Sequence, residues 1–452
     1  VVIGIAQAHV KFVFLEQMGL VDLLILVVVA IAVAFQSRSS IDEEGSFSFS
    51  PRRRPVPQRL KQLWCVRGLP VITLGLLATV ATVAPLLVSR PSRHLLYASI
   101  LAFGICAVSL TVVTGWAGQL SLSQMAFAGI GALVAAGLNR GLEFGIGLGD
   151  RWHLFSATLP SVPYLVSMLL ATLVAAAAAT LIGLGALRVK GLLLAVSTFA
   201  FALAASQYIY RRPVLTGGNN QSVPFRRGSL GPIDLSSQRS YYFFCLIALA
   251  VVLALVARLR HSGIGRSIIA VRENENTAAA YTVAPDRTKL TAFALAGGVA
   301  GLGGALLGGL VQSIPFTDRF FMIGDSLRLV SIVVIGGLGT LTGPILGSLW
   351  VIGLPAIWPD NELVPLFTSS IGLLVLLLYF PGGLVQIAYW IRDSLLGWAD
   401  RRLGPAQVKT TLAPPASISG TGNRTTQGDI ALATTDVSVA FGGLRAVDSV
   451  GL

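Results

Sequence analysis

Charge is scarce in this sequence. Of its 452 residues only 12% are Asp, Glu, Lys or Arg, against 54% hydrophobic, and the mean hydropathy is +0.76. A soluble domain is about one-quarter charged, so a water-solvated globular fold is disfavoured and the bilayer is the expected solvent. Cysteine is scarce too. Cys65, Cys106 and Cys245 share no metal or redox spacing and two lie in apolar runs, so neither a metal site nor a structural disulfide is expected. The four histidines are scattered. The net charge of +13 sits in polar connections, with no basic stripe interleaved with aromatics, which argues against a nucleic-acid partner. No Asp, Glu, Lys, Arg or His falls inside any main apolar run between 69 and 380 except Arg328. Ion-coupled transporters, pumps and voltage sensors usually need ionisable groups at depth. Energy for transport is therefore expected from outside the membrane segments.

What is abundant is apolar length. Runs at 69–88, 95–113, 119–138, 159–187, 191–210, 241–257, 290–311, 327–358 and 363–380 have the roughly 17–25 residues of a spanning helix, or more. The fold class is all-α polytopic membrane protein, with about eight to ten spanning or re-entrant helices. A further apolar run, 19–35, lacks a cleavage site and is not a signal peptide. Segment 36–68 is a polar linker ending in a basic cluster, and 404–428 is a second, Pro/Thr/Ser-rich and unable to fold alone. The basic clusters 52–67, 258–289 and 392–409 are expected on the cytoplasmic side. Counting runs between the first two closes the map. After Lys289 it closes only if 327–358 is a re-entrant pair of half-helices broken at 336–344, entering from the outer face. Arg211, Arg212, Arg226, Arg227 and Arg239 fall outside on this map, against the positive-inside rule.

Two breaks share a pattern. "TGWAGQLSLSQMAFAGIGA" (114–132) holds GWAGQLS, and 336–342 reads GGLGTLT, both G-x-x-G-x-L-[ST]. Glycine-interrupted apolar segments in two parts of a transporter point to a substrate site near the bilayer midplane, although tight packing by small residues explains many of the 49 glycines. Gly115 and Gly118 are expected to unwind the helix, freeing backbone groups near Thr114. Gln119, Ser121 and Ser123 would add hydrogen bonds to a polar solute, and Gln119, buried, needs a partner in the protein or the solute. Gly336, Gly339 and Thr342 are the counterparts in the second break. Ser197 and Thr198 are further candidates that could equally bond back to their own helix. So is the turn-like "TGGNN", with Thr216, Gly217, Gly218 and Asn219. The loop 261–293 reads as amphipathic and helical, with a patch of Ala278–Ala280, and suits docking into a partner's groove.

"TGWAGQLSLSQMAFAGIGA", "GLLLAVSTFAFA", "TGGNN", "GRSIIAVRENENTAAA" and "VVIGGLGTLTGPILGS" stand in one order and spacing. In this the chain resembles, over 69–402, the membrane subunits of ABC importers for branched-chain amino acids. The resemblance implies transport of Leu, Ile and Val delivered by an extracytoplasmic binding protein, alongside a second permease and an ABC ATPase. It implies that Gly265, Arg266, Arg272, Glu273 and Glu275 couple to that ATPase. The permease itself would bind no cofactor, and ATP-Mg would sit on the ATPase partner. The family usually has Gly at the places of Ser123, Gln221 and Thr282; at the last, Pro285 is expected to supply the turn.

The flanks resemble other parts of the same system. Residues 1–38 look like the last span of a partner permease, 39–68 a cytoplasmic linker, 403–428 a disordered linker, and 429–452 the first strands of the ATPase, with Phe441 as its adenine-stacking aromatic. No phosphate loop G-x-x-x-x-G-K-[ST] is present, so these residues cannot hydrolyse ATP, and one is expected beyond Leu452 in a parent polypeptide. The expectation is a multi-pass cell-membrane transport subunit, not an enzyme, with linker and C-terminus cytoplasmic. Alternatives are the same machinery carrying urea or short-chain amides, an ion-coupled secondary transporter, and a non-transporting membrane scaffold.

Overall fold

The computed structural model describes residues 78–402 apart from 89, 142, 148–152, 159, 188–190, 213–214, 216–221, 231–232, 316–320, 359–363, 365–367, 369–371 and 381. It also describes positions 27 and 75 and the segments 437–441 and 444–450. Two units divide the chain, Val1–Asp400 and Arg401–Leu452.

The first unit is built on helices. After α1 (Ala78–Leu87), α2 (Pro91–Leu110) starts with Pro at its first turn, where the missing N–H is no loss. It runs on as a π-turn, Thr111–Trp116. Next come α3 (Gln124–Arg140), α4 (Tyr164–Ala186) and α5 (Leu192–Gln207). Then follow α6 (Gln238–His261), two short helices α7 (Gly263–Glu273) and α8 (Glu275–Ala280), and the long α9 (Pro285–Val311). The chain closes with α10 (Ile323–Gly336), α11 (Gly343–Ser348), α12 (Gly372–Tyr379) and α13 (Leu384–Arg402). Among the described residues, five helices are long and apolar enough to cross a membrane: Pro91–Trp116, Tyr164–Ala186, Leu192–Arg211, Gln238–His261 and Pro285–Val311. This is an all-α polytopic membrane architecture.

Helix α9 is the axis of the bundle, and its small residues explain why. A Cβ on Gly304 would overlap the carbonyl of Ala128 on α3. One on Gly301 would overlap Ala175 on α4, one on Gly297 would overlap Ala179, and one on Gly303 would lie 2.5 Å from Cys106 Sγ on α2. The α9 backbone therefore meets backbone at Ala128 and small side chains at Ala175, Ala179 and Cys106, and dispersion between close surfaces holds helices that lipid would not drive together. Helix α3 is buried along almost its whole length, Gln124–Leu138. By contrast α4 and α6 expose Leu169, Leu173, Leu181, Ile247 and Leu255, the outward face expected against acyl chains.

Apolar run length hid several boundaries. The run 119–138 begins its helix only at Gln124. The run 327–358 is two antiparallel pieces: a Cβ on Gly336 would overlap the Gly343 carbonyl and one on Gly347 the Ile332 carbonyl, so α10 and α11 form a tight hairpin. The connection after α3 carries an antiparallel pair, β1 (Glu143–Gly147) and β2 (His153–Thr158). Three more short strands lie between α5 and α6: β3 (Ser222–Pro224), β4 (Ser229–Leu230) and β5 (Ile233–Asp234). Strand β3 pairs with β6 (Ser313–Pro315), just past α9, and β4 with β5. None of these strands was signalled by alternation. In the second unit β7 (Val437–Phe441) and β8 (Leu444–Val450) form an antiparallel hairpin with Phe441 opposite Leu444.

Candidate functional site

The end of α2 is where the first break begins. In the π-turn the Ala117 N–H reaches back to the Val112 carbonyl (3.1 Å) and the Gln119 N–H to Val113 (3.0 Å), so the helix widens before it stops. Gly118 then takes φ +68, a left-handed geometry that favours glycine. Gly115 keeps helical backbone instead; its missing side chain serves close approach, since a Cβ would lie 2.9 Å from the Gly339 nitrogen.

The polar side chains of the break are mostly satisfied within the protein. Thr114 Oγ1 donates to the Gln119 carbonyl (3.0 Å), and Gln119 Nε2 to Ala117 (3.4 Å). Ser121 and Ser123, expected to meet a solute, are buried and share a hydrogen bond (3.0 Å); sealed hydroxyls must find partners inside. Gln124, also buried, accepts from Ser109 (3.2 Å). Ser197 donates to its own helix at Leu194 (2.9 Å). Thr198 does the same at Ala195 (3.0 Å), and its oxygen also accepts the Leu122 N–H (3.1 Å), tying α5 to the break.

The two breaks meet. Trp116 Nε1 donates to the Gly339 carbonyl (3.1 Å), and Gly339 (φ +83) forms the tip between α10 and α11. Thr340 Oγ1 donates to Gly337 and accepts the Gly343 N–H; Thr342 precedes α11 without a side-chain cap. A third segment, not anticipated, joins them: a Cβ on Gly383 would lie 2.6 Å from the Gly337 nitrogen. The adjacent Gly382 N–H is held by Gln386 Oε1 (2.7 Å). The signal available for it was the turn-forming "PGG" at 381–383.

This junction is the meeting point of the two glycine breaks. It lies toward the end carrying α7 and α8: Arg272 Nη1 donates to the Gly115 carbonyl (2.6 Å) and Arg260 lies over the Trp116 ring at 5.6 Å. Of the five loop residues carried over by resemblance, Arg266 and Glu273 are exposed. Gly265 is packed, where a Cβ would overlap the Leu259 carbonyl. Arg272 turns inward, and Glu275 accepts from the buried Lys289 Nζ (2.7 Å) at the base of α9. Ser262 and Asn274 cap α7 and α8 with their side chains. The turn after α8 is made by Thr282 itself, at φ +65, while Pro285 opens α9. The expectation that Pro285 supplies the turn is corrected: proline fixes a negative φ and suits a helix start.

At the other end of α9, Arg227 resolves part of the arginine conflict. Its Nε and Nη2 donate to the carbonyls of Gly309 (2.5 Å) and Leu310 (2.6 Å), its guanidinium reaches Gln238 Oε1 (3.1 Å), and it stacks 3.8 Å over Tyr241. Desolvation pulls its pKa below the ordinary value, yet an arginine stays charged in proteins, and here it meets the negative end of a helix. Thr216, Gly217, Gly218 and Asn219 lie outside the described residues. Phe441 is placed in β7. Among the described residues no cluster of His, Cys, Asp or Glu could hold a metal ion.

Residues 92–361 match the family model described as the branched-chain amino acid transport system / permease component. The chain is 29% identical over 339 residues to the high-affinity branched-chain amino acid transport system permease protein LivM of Salmonella typhimurium, covering 69% of this chain and 74% of that one. Identity and coverage are the same for LivM of Escherichia coli K12. No solved structure matches the chain.

Proposed function

The chain belongs to the branched-chain amino acid transport permease family, and from that premise we propose how it works as the permease subunit of an ABC importer. The matched residues 92–361 include both glycine breaks and the α7–α8 loop, and that coverage carries the reading. Leucine, isoleucine and valine arrive from an extracytoplasmic binding protein and pass through a path shared with a second permease. The α7–α8 face sits on the cytoplasmic side and docks into the ATPase through Arg266, Glu273 and the exposed Ile264 and Tyr281, which are 52% and 77% exposed. ATP-Mg binds the ATPase, and the permease holds no cofactor. Within the path, Thr114, Gly115, Gly118, Gln119, Gly336, Gly339 and Thr342 form the region that opens and closes. Ser121, Ser123, Ser197 and Thr198 brace it from behind, and Thr216, Gly217, Gly218 and Asn219 contribute to the same path. Phe441 belongs to the ATPase portion, where it stacks on adenine.

Because the described spans hold an almost wholly uncharged, tightly bonded junction, free energy has to come from a partner whose contact with α7–α8 differs between two states. The experiment is uptake of labelled leucine into proteoliposomes carrying the complete assembly, its binding protein and internal ATP. Accumulation that stops with a hydrolysis-deficient ATPase is expected. Accumulation that continues without ATP would instead establish ion coupling, and urea outcompeting leucine would change the cargo.

A further inference from the structure

We propose that Arg272 is an internal latch, not a residue that faces the ATPase: it fastens the docking loop to the junction of the glycine breaks. The proposal rests on the reading of α7–α8 as the ATPase-facing loop. Its first support is what the π-turn leaves undone. With the Gln119 N–H spent on Val113, α2 ends without a following turn to satisfy its last carbonyls. The Gly115 carbonyl is taken by Arg272 Nη1 at 2.6 Å, a charge-assisted bond at the negative end of a helix. The second support is the path of the side chain. Arg272 Cγ lies 3.0 Å from where a Gly118 Cβ would stand, so Gly118 provides both the left-handed turn and the space over which the arginine stem lies. The third is what the latched backbone touches. Gly115 packs against Gly339, whose carbonyl is bonded by Trp116 Nε1 at 3.1 Å. A continuous line therefore runs from α7, through one guanidinium and one indole, to the tip of the α10–α11 hairpin. A push on α7 acts on the hairpin tip through two hydrogen bonds, both ending on backbone carbonyls.

The test uses the complete assembly in proteoliposomes, with ATP hydrolysis and leucine uptake measured together. Arg272→Met keeps the stem and removes the donor. The expected result is preserved hydrolysis with leucine uptake per ATP reduced about tenfold, the scale of one lost charged hydrogen bond, and partial recovery in Arg272→Lys. A second reading follows the junction itself. In Leu120→Cys, a position 48% exposed beside the break, the rate of maleimide labelling should change with nucleotide state in the parent and stop changing when Arg272→Met is added. Should Arg272→Met fail to assemble, Trp116→Phe, which removes the indole donor to Gly339 together with part of the ring volume, must show the same loss of uptake per ATP. Unchanged coupling in the assembled variant overturns the latch while leaving the importer intact. Absence of ATP-driven uptake in the parent assembly overturns the importer reading instead.

Discussion

Arg227 stands where α9 would have continued for another turn, its guanidinium taking the place of the backbone donors that Gly309 and Leu310 lack. Replacing it with methionine keeps much of the volume and leaves two carbonyls and the Gln238 side chain short of partners. We expect Arg227→Met to lose about 3 kcal/mol of stability, read as a lower midpoint of thermal unfolding in detergent, with Arg227→Lys recovering only part. From sequence alone this residue belonged to an arginine cluster at odds with the positive-inside rule. Its neighbours Arg211 and Arg226 are exposed, and nothing in the local sequence separates them from the one that is buried. The carbonyls it serves are 82 and 83 positions away. Thr282 is a similar case. A β-branched residue at φ +65 contradicts local preference, so sequence alone points to the nearby proline for the turn.

Among the elements, α9 is held by what its side chains omit. Gly304 meets the Ala128 backbone, whereas a Cβ on Gly298 would meet Ala176 and Thr172 only at ordinary contact distances of 3.4 Å or more. Gly304→Ala should therefore push α3 away from α9 at a cost of about 3 kcal/mol or more, and Gly298→Ala should be nearly neutral. Thermal midpoints of the two purified variants, compared with the parent, check the contrast. The existence of these helices was legible, because twenty apolar residues have few other fates. Which of them lies inside was not. Helix α3 is buried almost throughout, while α4 and α6 present large residues outward, and an all-apolar helix offers no polar face from which to read its orientation. The break at 115–123 could be seen as a break, but its contact with the second one depends on packing across more than two hundred residues, and Gly383 packs against the second break at Gly337.

For the whole molecule, the docking loop divides its charges between two duties. Glu273 is exposed, and Glu275 is paired with Lys289, whose side chain is only 7% exposed. Reversing Glu273 should reduce leucine uptake by the assembly about tenfold, the size of a typical coupling energy, without moving the unfolding midpoint. Reversing Glu275 should instead destabilise the permease by about 2 kcal/mol, less than a fully buried pair because Glu275 keeps 31% exposure. Uptake and melting measured side by side separate the two. The paired glycine pattern and the loop were both readable as parts; the polar serines pointed toward a solute, whereas in the folded chain they close on each other.

The contacts of Gly297, Gly301 and Gly304 along α9 carry one more consequence. A joint built from absent atoms has only one direction in which to vary, since every possible replacement is larger. Neither partner helix of such a joint can drift alone, and a change on one side survives only with a matching retreat of the other. Evolutionary freedom in this protein is thereby displaced to its perimeter, where Leu173 or Ile247 can be exchanged for any residue that an oily surrounding accepts.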